Sequence, residues 1–253
     1  MTTQSAADAE ATERVTRQAQ DFAERIAHTI RSTLPGDPVI AALREPTGRV
    51  QITAVEVDTN GNPTSVPTEM PLFIAKEKVA RWRLSMSMQL DWTNKFLKTR
   101  ASALALTSEY ESAPLARLEY LSTTHTAPVS HWQFHAERGA FSHLLARASS
   151  NSRYVTGRPH SLSTLHFPVG GERYRPSIED FIEFLIRECG VDPQPGWEAA
   201  VQEGREIWRR MQTRTVVRDL QAEAAQTLKD LGWTVTAPDD FDEGAPPNAM
   251  LKW

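Results

Sequence analysis

Arg81-Trp82-Arg83-Leu84-Ser85-Met86-Ser87-Met88-Gln89-Leu90-Asp91-Trp92 alternates without a break, every even position apolar and every odd one polar. Successive side chains of a strand point to opposite faces, so this segment reads as a strand with one face buried and the other open to water. Trp82, Leu84, Met86, Met88, Leu90 and Trp92 then form core, and Arg81 and Arg83 project from the open face. Less regular extended stretches follow at Phe96–Thr107 and Leu115–Ser122, the latter with Arg117 and Glu119 on one face and Leu118 and Tyr120 on the other. Strands that succeed one another with no helix between them make an antiparallel sheet.

Outward from this run, helical spacing of Val15, Ala19, Phe22, Ile26 and Ile30 predicts a helix over about residues 9–33, closed by Leu34-Pro35-Gly36. A strand at Arg49–Val57 and the turn residues Asp58 to Pro63 predict a hairpin with a returning extended segment. Downstream, Val129–Glu137 alternates as a strand, Ala140–Ala148 reads as a helix, and Ser163–Pro168 as a short strand. Gly170-Gly171 permits a sharp turn that leaves Arg173 and Arg175 at its exit. Ser177 with Asp180 three residues on starts a helix carrying Ile178, Phe181, Ile182, Leu185 and Ile186, which ends at Cys189-Gly190. Two more helices are expected near Trp197–Gln212 and Thr215–Leu231. The fold class expected is α+β: an antiparallel sheet of about five to seven strands within about residues 49–168, with the N-terminal helix and three C-terminal helices packed on one face. Residues 1–235 read as one domain, and 236–253 as an acidic, mobile tail.

The single cysteine, Cys189, excludes an intrachain disulfide framework, agrees with a reducing cytoplasm and reads as a small apolar residue. The polar start, MTTQSAADAEATERV, has neither the pattern of a signal peptide nor that of a membrane span, so no membrane association is expected. Arginine far outnumbers lysine and alanine is abundant, as in proteins of GC-rich bacteria. Charge is unevenly spread: residues 1–80 carry about −3, 81–175 about +6 and 176–253 about −7. A basic middle of that size suits a surface that meets phosphates.

Six of the seven histidines, His125, His131, His135, His143, His160 and His166, fall in this basic middle. Imidazole both takes up and gives up a proton near neutral pH and also ligates metals. On a strand, His131, Gln133, His135 and Glu137 share one face, opposite Trp132, Phe134 and Ala136. Residues i and i+4 of a strand are about 13 Å apart, too far to share one zinc ion, so no metal and no other cofactor is expected from this pair. Neither a Walker pattern nor a G-x-G-x-x-G fingerprint is present.

Metal-independent RNA cleavage through a 2′-hydroxyl needs imidazoles that move protons and a cation that steadies the phosphate. The catalytic candidates are accordingly His131, His135, His160, His166 and Glu137, with Glu137 or Glu119 orienting a histidine. Arg81, Arg83, Arg117, Arg173 and Arg175 are the substrate-binding candidates. Two other readings stand beside this one. The chain could be a non-catalytic module whose acidic C-terminal helices and tail bind a protein, or a metal-dependent hydrolase that uses His135, Glu137, His160 or His166 from different strands.

The order Arg117-Leu118-Glu119-Tyr120, His131-Trp132-Gln133-Phe134-His135, Pro159-His160 and Arg175-Pro176-Ser177-Ile178-Glu179-Asp180-Phe181-Ile182-Glu183-Phe184-Leu185 resembles the TumE-type bacterial toxins over about residues 80–188. Pro159 and His160 are the residues that match a motif of that family position by position. The resemblance implies an antiparallel sheet leading through a Pro-His segment into a closing helix. It also implies a toxin-antitoxin or phage-defence role and a partner antitoxin.

Overall fold

The computed structural model describes residues 2–91, 96–124, 127–135, 166–169 and 172–242. The chain opens with a long helix, α1 (Thr2–Thr33), and then forms β1 (Val39–Arg44), β2 (Val50–Val57), β3 (Pro63–Pro67), β4 (Met70–Ile74) and β5 (Glu77–Leu90). β6 (Leu97–Ser108), β7 (Pro114–Leu121), β8 (Ser130–Phe134) and the two-residue β9 (Phe167–Pro168) complete the sheet. Three helices close the fold: α2 (Ile178–Arg187), α3 (Trp197–Asp219) and α4 (Gln221–Asp230). The α+β class is as expected from the sequence.

All pairings are antiparallel, in the order β1-β2-β5-β6-β7-β8-β9, with β3 paired to β2 and β4 to β5. The fourteen residues of β5 make it the spine of the sheet. One edge of β5 is shared between two partners, β4 along its first half (Met70 opposite Trp82) and β2 along its second (Thr53 opposite Ser85). The sheet therefore has nine strands, against the expected five to seven. β1 and β4 account for the difference. β1, VIAALR, is half-buried along nearly its whole length and so lacks alternation, while β4 has only five residues and contains Pro71.

The even positions of β5 do form the core. Trp82, Leu84 and Met88 are buried, and beside them lie Leu104 and Leu106 of β6 and Ala116 and Leu118 of β7. Val15, Ala19, Ala23, Ile26 and Ile30 of α1 and Phe181, Ile182 and Leu185 of α2 complete the same apolar cluster. Phe181 stacks on Trp82 at 5.8 Å and on Trp132 at 5.6 Å between ring centroids, which ties α2 to both β5 and β8. The expected capping box is present: Asp180 N donates to Ser177 Oγ (3.3 Å) and Ser177 N to Asp180 Oδ2 (2.8 Å). Cys189 packs half-buried against the core, and burial pushes its thiol pKa up.

The two helices expected after residue 197 divide at Leu220 (φ −132°, ψ 66°), later than their periodicity suggests, so α3 runs through Asp219. The helix expected at Ala140–Ala148, most of the strand at Ser163–Pro168 and the last residues of the tail lie outside the described residues. Among the described residues no helix is long and apolar enough to cross a membrane.

Candidate functional site

Cross-strand register sets the polar face. Arg83 of β5 is opposite Ala105, which is opposite Arg117, which is opposite Gln133. The neighbouring row runs Ser85, Ala103, Glu119, His131 and Pro168. His135 follows β8 and stays in register, its N–H bonded to the Leu115 carbonyl at 2.9 Å. Arg117, Glu119, His131, Gln133 and His135 are thereby placed side by side, and His166, just before β9, joins them.

The contacts are specific. His131 donates from Nδ1 to the Pro128 carbonyl (2.8 Å), which turns Nε2 toward Glu119 Oε2 at 3.4 Å, an ion-pair separation when the ring is protonated. Arg117 lies 3.3 Å from Glu119 Oε1 on one side and 3.4 Å from His135 Nε2 on the other. The Gln133 amide N–H donates to His166 Nε2 at 2.6 Å. The His131 and His166 rings meet edge to face with centroids 4.4 Å apart.

Electrostatics divides the roles. The contact with His131 first, and then the charge of Arg117, hold the Glu119 carboxyl below the usual carboxylate range against the opposing effect of burial. Burial first, and then Arg117, lower the pKa of His135, which favours the neutral ring. Among the described residues, Arg117 Nε and Gln133 Oε1 of this cluster are buried with no hydrogen-bond partner. Each such atom costs about 1–3 kcal/mol, so two in one cluster mark it as more than a solvated sheet surface.

Several expectations need correction. His131 and Gln133 are 4% and 6% exposed, so this face is not open at β8. His135 and Arg117 are half-buried and reach solvent, as Arg83 does more fully. Arg81 is committed to structure. It pairs with Glu69, lies 3.8 Å from Glu109 and donates to the Ser108 and Glu111 carbonyls, which leaves little of its charge for a ligand.

Arg173 and Arg175 are on the other side of the sheet. Arg173 pairs with Asp219 and Glu172, and Arg175 lies over the Tyr120 and Trp208 rings at 4.2 and 4.9 Å. Tyr120 faces the helices, so neither arginine can join the histidines. His160 and Glu137 lie outside the described residues, as do His125 and His143. Among the described residues no three His, Cys, Asp or Glu side chains converge to share a metal ion. Gln133 is a participant that the sequence places on this face without marking its role. Its signal was its position between two histidines at strand spacing.

Searches of family models, of curated proteins and of solved structures give no match to this chain.

Proposed function

We propose that the chain acts on RNA without a metal, as a toxin-antitoxin or phage-defence ribonuclease working from the β7–β8 polar face. The observation that carries this reading is the pairing of a neutral, solvent-reaching His135 with the Arg117 guanidinium at 3.4 Å. A neutral imidazole accepts a proton, and the adjacent fixed cation stabilises the negative charge that the transfer creates. As the Arg117 guanidinium turns to the phosphate it frees the His135 Nε2 lone pair, which takes the proton of a 2′-hydroxyl while the 2′-oxygen bonds to phosphorus. The bond from phosphorus to the 5′-oxygen breaks, and that leaving oxygen takes its proton from water. Glu119 and the buried His131 hold Arg117 in place, which makes them positioning residues. Arg83, two strands from Arg117 and about 10 Å away, extends the cationic row for a second phosphate.

The test is incubation with RNA oligonucleotides at low salt and in excess EDTA. Cleavage to 2′,3′-cyclic phosphate ends is expected, slowed by about 100-fold or more in His135→Ala and Arg117→Ala. A protein that neither binds nor cleaves RNA, or a His135→Ala variant as active as wild type, overturns the reading.

A second reading, a module that binds a partner protein, is favoured by the C-terminal helices. α4 buries none of its residues, and Val217, Leu228, Leu231 and Trp233 are 46%, 38%, 71% and 66% exposed in the acidic third of the chain. Co-purification with the product of an adjacent gene, abolished by Leu231→Asp and Trp233→Asp, supports this reading. An unchanged yield of complex in both variants removes it.

A further inference from the structure

On the opposite side of the sheet from the histidines, α1 and α3, which touch each other, border with β5, β6 and β7 a cleft in two chambers, of about 850 and 950 Å³. Phe22, Arg25, Tyr120, Arg175, Trp208 and Met211 line both, so the chambers adjoin. The first is walled by Ile26, Met86, Leu104, Leu118, Ile178 and Ile207 and has the size and apolar lining of a small-molecule pocket.

The second chamber is cationic. Lys98, Arg100, Arg173, Arg214 and Arg218 line it in addition to the shared arginines, against Asp21, Asp91 and Asp219. Some of that charge is spent internally: Asp219 is taken by Arg173, and Lys98 lies 3.5 Å from Glu172. Arg25, Arg100, Arg214 and Arg218, by contrast, have no carboxylate at ion-pair distance among the described residues. Arg25 and Arg218 lie instead over the Phe22 and Phe96 rings, at 5.4 and 4.4 Å. The floor between the chambers is the Arg175 guanidinium, held between Tyr120 and Trp208 and fixed by donation to the Glu172 carbonyl at 2.7 Å. Burial holds the Arg175 pKa below the usual arginine value, the mark of a cation kept out of bulk water.

We infer that this cleft binds a small aromatic organic anion, its flat apolar body in the first chamber along Trp208 and Phe22 and its acidic group in the second among Arg100, Arg214 and Arg218. An aromatic ring matches the stacked faces already present. An anion matches cations that no carboxylate among the described residues neutralises. The cleft opens on the other face of the sheet from the histidines, and Glu119 of β7 lies between the two.

The full chain is titrated with anilinonaphthalene sulfonate, followed by dye fluorescence and by quenching of tryptophan. Saturable binding of one dye per chain is expected. Arg214→Glu, an exposed charge reversal that leaves the core untouched, is expected to weaken it about tenfold or more. The uncharged N-phenylnaphthylamine is expected to bind at least about tenfold more weakly than the sulfonate. Ser102→Trp, which fills the first chamber, is expected to abolish binding. No saturable binding, or equal affinity in wild type and Arg214→Glu, or equal affinity for the charged and uncharged dyes, overturns the inference. None of these outcomes touches RNA cleavage.

Discussion

Glu179, at the start of α2, fills the space that a side chain on Gly204 of α3 would need: a Cβ built on Gly204 meets the Glu179 Cγ at 2.9 Å and its carboxyl closer still. A glycine in the middle of a 23-residue helix is otherwise unfavourable by about 1 kcal/mol relative to alanine. Here it lets α3 approach α2. Gly204→Ala is therefore expected to destabilise by about 1–3 kcal/mol, the reverse of the sign at a free helical site. Adding Glu179→Ala is expected to recover the alanine advantage, measured as a double-mutant cycle by urea denaturation.

Glu179 is also a buried carboxyl, 6% exposed, and burial raises its pKa above 4.5. The native state then binds this proton more tightly than the unfolded chain does. Stability from this group is greatest below pH 4.5 and falls as pH rises through the raised value. Glu179→Gln is expected to match wild type near pH 4 and to exceed it by on the order of 1 kcal/mol at pH 8, in paired denaturation curves.

Glu119 behaves in the opposite sense, because His131 and Arg117 depress its pKa below 4.5. Its contribution is present above pH 4.5 and is lost as pH falls through the depressed value. Glu119→Ala is expected to cost about 1–3 kcal/mol at pH 7, and the gap to wild type is expected to close in acid. An equal gap at pH 7 and pH 3 would contradict the assignment.

The β4–β5 turn places Ala75 and Lys76 at φ 51° and 68°, a region L-residues adopt at a cost. It is held there by Asp192, whose carboxylate accepts from the Ala75 and Lys76 N–H groups at 3.0 and 2.7 Å. Lys76→Gly is expected to stabilise by about 1 kcal/mol. Asp192→Ala is expected to destabilise by about 1–3 kcal/mol. Thermal melts of the two variants check both signs.

Trp82 and Phe181 form the contact that joins sheet to helix, both essentially inaccessible to solvent. Either one changed to alanine is expected to cost about 3–5 kcal/mol in chemical denaturation.

Much of this arrangement was legible in the chain. Strict alternation from Arg81 gave the central strand, and the Ser177 and Asp180 pair gave the start of α2, because both signals are local and each residue's role depends only on its near neighbours. β1 and β4 were not legible, since a strand half-buried on both faces, or one of five residues with a proline, carries no period. The histidine spacing correctly separated His131 from His135 along β8. It could not show that His131 is buried, because burial depends on what lies across the face.

Sequence alone thus determined the α+β class, the direction in which each side chain of β5, β7 and β8 points, and the chemistry available on each face. Tertiary structure alone decided which residues meet. Register across β5 to β8 joined Arg117 to His135 and Glu119 to His131, and the sheet itself placed Arg173 and Arg175 on the far side. The packing of α1 and α3 against the sheet left a cleft that no local pattern announces. Cross-strand register and helix packing arise from contacts between residues far apart in the chain, where local periodicity carries no information.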